Sequence, residues 1–192
     1  MNFLSKNKVS ILLITSFSFF IWFNLKQSTN PFEHNNEIKI ISNESYVDSK
    51  NLDLTNVIIP GDVKPTTLSK IISTFQSSPY IIHFWATWCA PCLTEFPMLM
   101  DFLISSKGTE YKTILVLIND DNDKALTYYN KLINNKQYAN TKVKEKIVWV
   151  QDYQDNVYKY LGISKLPESI ISSSSQSIRR IPGAVNWDTF PK

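Results

Sequence analysis

The reading of this chain turns on Tyr80-Ile81-Ile82-His83-Phe84-Trp85 and the residues that follow it, Ala86-Thr87-Trp88-Cys89-Ala90-Pro91-Cys92. The first six residues are rich in β-branched and aromatic side chains and few enough for a buried strand. After them, Leu93, Phe96, Met100 and Leu103 recur at helical spacing, with Gly108 available past the end. The only two cysteines of the chain therefore fall where a strand hands over to a helix N-terminus. Unpaired backbone N–H groups and the positive end of the helix dipole favour a thiolate there over a thiol. Pro91 suits a first helical turn, where its missing N–H would have had no partner. Residues at i and i+3 share a helix face at about 5–6 Å, within reach of a disulfide. Structural zinc would require about four Cys or His ligands, and only His34 in a polar stretch and His83 inside the strand could add to the pair. A purely structural crosslink is equally poorly suited, because so short a loop removes little entropy from the unfolded chain. A reversible disulfide fits the spacing.

Phe84 to Cys92, followed by Glu95-Phe96-Pro97, resembles the active-site segment of thioredoxin-fold proteins. It is most similar to the membrane-tethered bacterial branch that includes TlpA, ResA and the cytochrome c maturation reductases. Gly162-Ile163-Ser164-Lys165-Leu166-Pro167-Glu168-Ser169 resembles that family's cis-proline segment, and Gly183 to Trp187 its C-terminal Gly-x-x-x-Trp signature. The likeness runs from about Asn56 to Trp187. It implies an α/β, thioredoxin-like fold with a central mixed β-sheet flanked by helices. It also implies a strand–helix unit inserted between Cys92 and Pro167 relative to a minimal thioredoxin, and the chain has room for it there.

The resemblance, with the chemistry of the residues, assigns roles. Cys89, nearer the exposed loop, is expected to attack, and Cys92, one helical turn further in, to resolve the mixed disulfide. Glu95 matches a glutamate that the branch carries beside its cysteines, where a carboxyl could take and return protons. The alternative is a solvated first-turn glutamate favoured by the dipole. His83 stands where thioredoxin keeps a buried acid. It is either a proton relay to Cys92 or a hydrogen-bonded core histidine. A cis bond at Pro167 would leave the Leu166 backbone free to pair with an incoming polypeptide. Trp88 is expected to shield the disulfide and offer a contact face, Trp85 to lie in the core, and Pro97 to disturb its helix. No cofactor is implied. The partners implied are proteins with cysteines or disulfides and a separate membrane or periplasmic electron donor, since the chain has no further cysteines for an internal relay.

A chain of 192 residues with 43% hydrophobic content can bury one ordinary core. The net charge is +3 and the lysines are scattered, with only Arg179 and Arg180 adjacent among the arginines. That pattern describes a solvated surface rather than a nucleic-acid site, which calls for a clustered basic patch. Val9 to Leu25 is an uncharged apolar run flanked by Lys6, Lys8 and Lys26. At 1.5 Å per residue it reaches about 26 Å, at the short end of a membrane span. A retained signal anchor and a cleaved signal peptide compete for it; no A-x-A-like cleavage site follows, which favours the anchor. The lysines then place residues 1–8 in the cytoplasm, 9–25 in the bacterial inner membrane and the catalytic part in the periplasm or cell exterior. Residues 26–55, polar and rich in Asn and Ser, read as a tether, and 56–192 as the thioredoxin-like domain.

Within the domain, Leu68, Ile71, Ile72 and Phe75 mark a short helix capped by Thr66 or Thr67. Lys112 to Asn119 reads as a central strand, Ala125 to Ile133 as one face of a helix entered through Asp120-Asp121-Asn122, and Ile147 to Val150 as another strand. Asn156 to Leu161 forms a short helix stopped by Gly162, and Glu168 to Ser172 with Ser177 to Ile181 a terminal hairpin. The C-terminal helix usual in the branch is expected to be missing or vestigial, which leaves the cover of the last strand open. Two rival functions remain at this stage. One is an oxidase of secreted proteins. The other is a Cu(I) chaperone using both thiolates, with Met98 and Met100 on the same helix.

Overall fold

A computed structural model describes residues 47–173 and 177–190. The run from Val9 to Leu25 lies outside them, and among the described residues no helix is long and apolar enough to cross a membrane. The described elements are α1 (Ser49–Leu54), β1 (Asn56–Ile58), β2 (Thr66–Thr67), α2 (Leu68–Ser73), β3 (Tyr80–Trp85), α3 (Ala90–Ile104), β4 (Lys112–Leu117), α4 (Asn122–Ile133), α5 (Lys136–Ala139), β5 (Ile147–Asp152), β6 (Glu168–Ser172) and β7 (Ile178–Pro182). A 3-10 turn, Lys142–Lys146, leads into β5, and a single π turn, Val157–Leu161, leaves it.

The strands form one mixed sheet in the order β2-β1-β5-β4-β3-β6-β7. β3, β4 and β5 run parallel, whereas β1, β6 and β7 pair antiparallel with their neighbours. All six residues of β3 are buried, as a run apolar at every position but His83 predicts for a strand covered on both faces. Alternation then sorts the side chains. Ile81 and Trp85 join Leu115, Leu117 and Ile171 in the cluster under α3, and Ile82 and Phe84 join Ile114, Val116 and Ile170 on the opposite face.

Local chemistry explains the element ends. Thr67 caps α2 by accepting from the Lys70 N–H, and Asp121 caps α4 by accepting from the Lys124 N–H. Pro97 sits inside α3 and cannot donate to the Leu93 carbonyl; the Tyr128 hydroxyl donates to that carbonyl instead at 3.1 Å. Gly162 ends the π turn at φ 61°, in the left-handed region that glycine adopts without penalty.

Two boundaries differ from the sequence reading, and a question it left open is answered. The tether assignment of 26–55 extends too far, because α1 forms at Ser49–Leu54 and both Val47 and Leu52 are buried in the core. One short helix in a polar stretch carries too few apolar positions to show a period. The helix read at Asn156–Leu161 is the π turn Val157–Leu161. The last strand is covered after all, since Val185, Trp187 and Phe190 are buried against the α3 side of the sheet. Phe102 packs on Trp187 at 5.3 Å and on Phe190 at 5.8 Å.

Candidate active site

The two cysteines lie just beyond the C-terminal end of β3. Cys89 is the N-cap of α3 and is joined to Cys92 by a disulfide, with the two Cα atoms 5.3 Å apart. The Cys89 sulfur accepts a hydrogen bond from the Cys92 N–H at 3.3 Å. One of the free donors of the helix N-terminus is thus already aimed at this sulfur, an arrangement that stabilises negative charge on it. Cys92 is fully buried and Cys89 nearly so, whereas the neighbouring Trp88, Ala90 and Pro91 are exposed. Trp88 is 57% exposed and is held by its indole N–H, which donates to the Asn119 carbonyl at 3.0 Å.

A second contact from the same loop holds this turn. The Thr87 N–H donates to the Asp120 carboxylate, whose other oxygen accepts from the Asp121 N–H. Burial works against the Asp120 charge, but the contacts with Thr87 and Asp121 and the nearby Lys124 keep its carboxyl below the usual range. The sequence marked Asp120 only as one of three cap signals; Asp121 does the capping and Asp120 anchors the cysteine loop.

Glu95 lies one turn after Cys92 on the same face of α3 and is fully buried. The solvated first-turn alternative is therefore wrong: α3 begins at Ala90, which puts Glu95 in the second turn and in the core. Its Oε1 accepts from the Val185 N–H at 3.0 Å and from the Trp187 indole N–H at 2.6 Å. Its Oε2 is buried with no hydrogen-bond partner. Burial pushes the carboxyl up, and the two donors pull part of the way back. The Gly183–Trp187 segment thus serves to hold the glutamate beside the cysteines, a link that motif matching alone did not expose.

His83 points to the same face of the sheet as α3. Its Nδ1 lies 2.9 Å from the Ser169 hydroxyl, and its ring meets Phe96 edge-on at 5.9 Å. Burial pushes its pKa down to about 3, so the ring is neutral at physiological pH. That is the core-histidine alternative; Nε2 is buried and without a hydrogen-bond partner. Trp85 is fully buried between Phe96 at 4.5 Å and Trp149 at 5.2 Å, as expected of a core residue.

The Leu166–Pro167 bond is cis. Pro167 directly precedes β6, where Glu168 pairs with Phe84 and Ser169 with His83. That register puts the Leu166–Pro167 segment alongside the end of β3 from which the cysteine turn departs. Leu166 is half-buried and Pro167 buried. Among the described residues no three His, Cys, Asp or Glu side chains gather in a metal-binding group.

Comparison with solved structures bears on this arrangement. A secreted disulfide oxidoreductase of Mycobacterium tuberculosis, homologous to E. coli DsbE, superposes with a TM-score of 0.54 over 73% of this chain and 93% of its own, at 14% identity. The chain has a thioredoxin fold. DsbF of the same organism, seen in mixed oxidised and reduced forms, gives a TM-score of 0.50 over 74% of this chain and 92% of its own, at 16% identity. No family model matches the chain. A local stretch of 30 residues is 47% identical to the thiol:disulfide interchange protein DsbE of Xylella fastidiosa in two strains, covering 16% of this chain and 15% of the relatives' length. The solved structures share the fold with this chain, and the short local match is a likeness to a thiol:disulfide interchange protein over 30 residues.

Proposed function

We propose that this chain is a thiol–disulfide oxidoreductase that reduces disulfides of proteins outside the cytoplasm, held at the bacterial inner membrane by Val9–Leu25. The observation that carries the reading is the joined Cys89–Cys92 pair at a helix N-terminus, one turn from a buried carboxylic acid whose hydrogen-bond donors among the described residues are both neutral. A structural crosslink has no use for a proton acceptor kept at such a cost of burial. The Cys89 thiolate attacks one sulfur of the partner's disulfide, and the other partner sulfur leaves as a thiolate and takes a proton. The Cys92 thiolate then attacks the Cys89 sulfur of the mixed disulfide and expels the second partner thiolate. Two electrons and two protons pass from the Cys89–Cys92 dithiol to the partner, and a separate dithiol protein resets the pair. Glu95 takes the proton released as Cys92 becomes the nucleophile. Trp88 and the Leu166 backbone form the contact surface for the partner polypeptide. The 30-residue likeness to a thiol:disulfide interchange protein supports exchange chemistry; a secreted cysteine protein such as apocytochrome c is the substrate implied by the resemblance of the Phe84–Pro97 segment to the cytochrome c maturation reductases.

The test is a Cys92→Ser trap in the full chain expressed in a bacterial membrane. It should accumulate mixed disulfides on Cys89 with exported cysteine proteins. If no partner is held, while Cys89 of the variant is shown to be free, the proposal fails.

A further inference from the structure

Behind the sheet, on the face opposite α3, one side chain reaches both ends of the loop that carries Leu166 and Pro167. Arg180 lies on β7, in register with Ile170. Its Nη1 donates to the Leu161 carbonyl at 2.8 Å and its Nη2 to the Gly162 carbonyl at 3.0 Å, where the π turn ends and the loop begins. Its Nε donates to the carboxylate of Glu168, the first residue of β6, where the loop ends. Glu168 is 1% exposed and the Arg180 side chain 15%, so this is a largely desolvated pair. Charge-assisted bonds of this kind are the stronger class, and the planar guanidinium fixes the relative placement of three acceptors at once. Only Ile163 to Pro167 lie between the anchored ends, and nothing in their sequence, with Ser164 and Lys165 exposed, fixes a conformation by burial except at Ile163 and Pro167.

We infer that Arg180 is a positioning residue for polypeptide recognition: by clamping Leu161, Gly162 and Glu168 together it holds the Leu166–Pro167 backbone at the height where a substrate strand must pair. This rests on the exchange function proposed above. Arg180 touches neither cysteine, and it acts from the far side of the sheet. Its loss should therefore impair substrates that have a backbone to align and spare disulfides that have none.

Two probes separate these cases. One is an extended peptide whose single cysteine is capped by 2-mercaptoethanol as a mixed disulfide. The other is 2-hydroxyethyl disulfide, which offers the same leaving thiol without a backbone. With the full chain in its dithiol form, Arg180→Ala should lower the rate constant for the peptide by about tenfold or more, through a higher KM, because small misplacements of an aligned reactant are costly. The rate with 2-hydroxyethyl disulfide should stay within about twofold of the unsubstituted chain. Arg180→Lys keeps the charge beside Glu168 but not the fork, and should show the same selective loss to a smaller degree. If Arg180→Ala does not fold, Arg180→Lys decides alone by the same criterion. Equal losses on both probes, or no loss on the peptide, would overturn the clamp. A wild-type chain inert toward both probes would instead sink the exchange function itself, and with it anything for Arg180 to position.

Discussion

Glu95 and Glu168 are both buried carboxylic acids, one on each side of the same sheet, and they are held in opposite ways. Glu168 faces the Arg180 guanidinium, so its charge is matched by a cation and the pair ties the loop before β6 to β7. The partners of Glu95 among the described residues are two neutral donors, the Val185 N–H and the Trp187 indole; each acid keeps its second oxygen buried without a hydrogen bond, so the difference lies in the charge of the partner. Burial raises both carboxyls; at Glu168 the guanidinium opposes the rise, and at Glu95 only hydrogen bonds do. A matched charge serves architecture, because exchanging its proton would break the pair. An unmatched one close to two sulfurs can change protonation state without dismantling its surroundings.

The sharpest way to break this comparison is to swap each acid for its amide. Glu95→Gln retains an acceptor for both N–H donors but cannot carry a proton. Turnover with 2-hydroxyethyl disulfide should fall by about 10²-fold, the lower range of general acid–base effects, while stability moves by less than about 1 kcal/mol. Glu168→Gln should do the reverse. It leaves a largely buried guanidinium without its counter-charge, at about 2–3 kcal/mol of stability in urea denaturation, below the range for fully buried pairs because Arg180 is partly exposed. If Glu95→Gln costs stability alone, the two acids are equivalent and the functional reading of Glu95 is lost.

A further effect comes from pH. His83 is held near a pKa of about 3 by burial, below the roughly 6.5 of the unfolded chain. The unfolded state thus takes up a proton that the folded state refuses. Stability from this group is complete above about 6.5 and is lost as pH falls toward 3, by at most about 1.4 kcal/mol per pH unit. Glu95 works in the other direction: its folded carboxyl is raised, so its contribution declines as pH rises between the unfolded and folded values. Urea midpoints measured from pH 7 to pH 4 should fall more shallowly in His83→Asn than in the parent chain. An unchanged slope would show that His83 titrates normally and is not sealed in the core.

What the sequence revealed of this site divides along the range of its contacts. β3, α3 and the Cys89–Cys92 turn were legible because a short β-branched and aromatic run, helical spacing and helix-start chemistry are written in consecutive residues. The Leu166–Pro167 segment was legible only by resemblance, and its place beside β3 follows from pairing that a single strand does not encode. Glu95 was visible as a residue but not as a buried one, since its partners Val185 and Trp187 are 90 and 92 positions away. Arg180 looked like one of several surface charges because its acceptors lie on a turn and a strand that meet it only after the sheet forms. Asp120 was masked by a plausible local role beside Asp121.

The most direct test of the central claim, a reversible two-electron couple at Cys89 and Cys92, is a redox titration of the full chain in glutathione buffers, with free thiols alkylated and counted by mass. Only species with no free thiol or with two should appear, interconverting in one transition with a slope of about 30 mV per tenfold change in the ratio. A disulfide that stays closed in the folded chain across the whole range, or a stable species with one free thiol, would contradict the account.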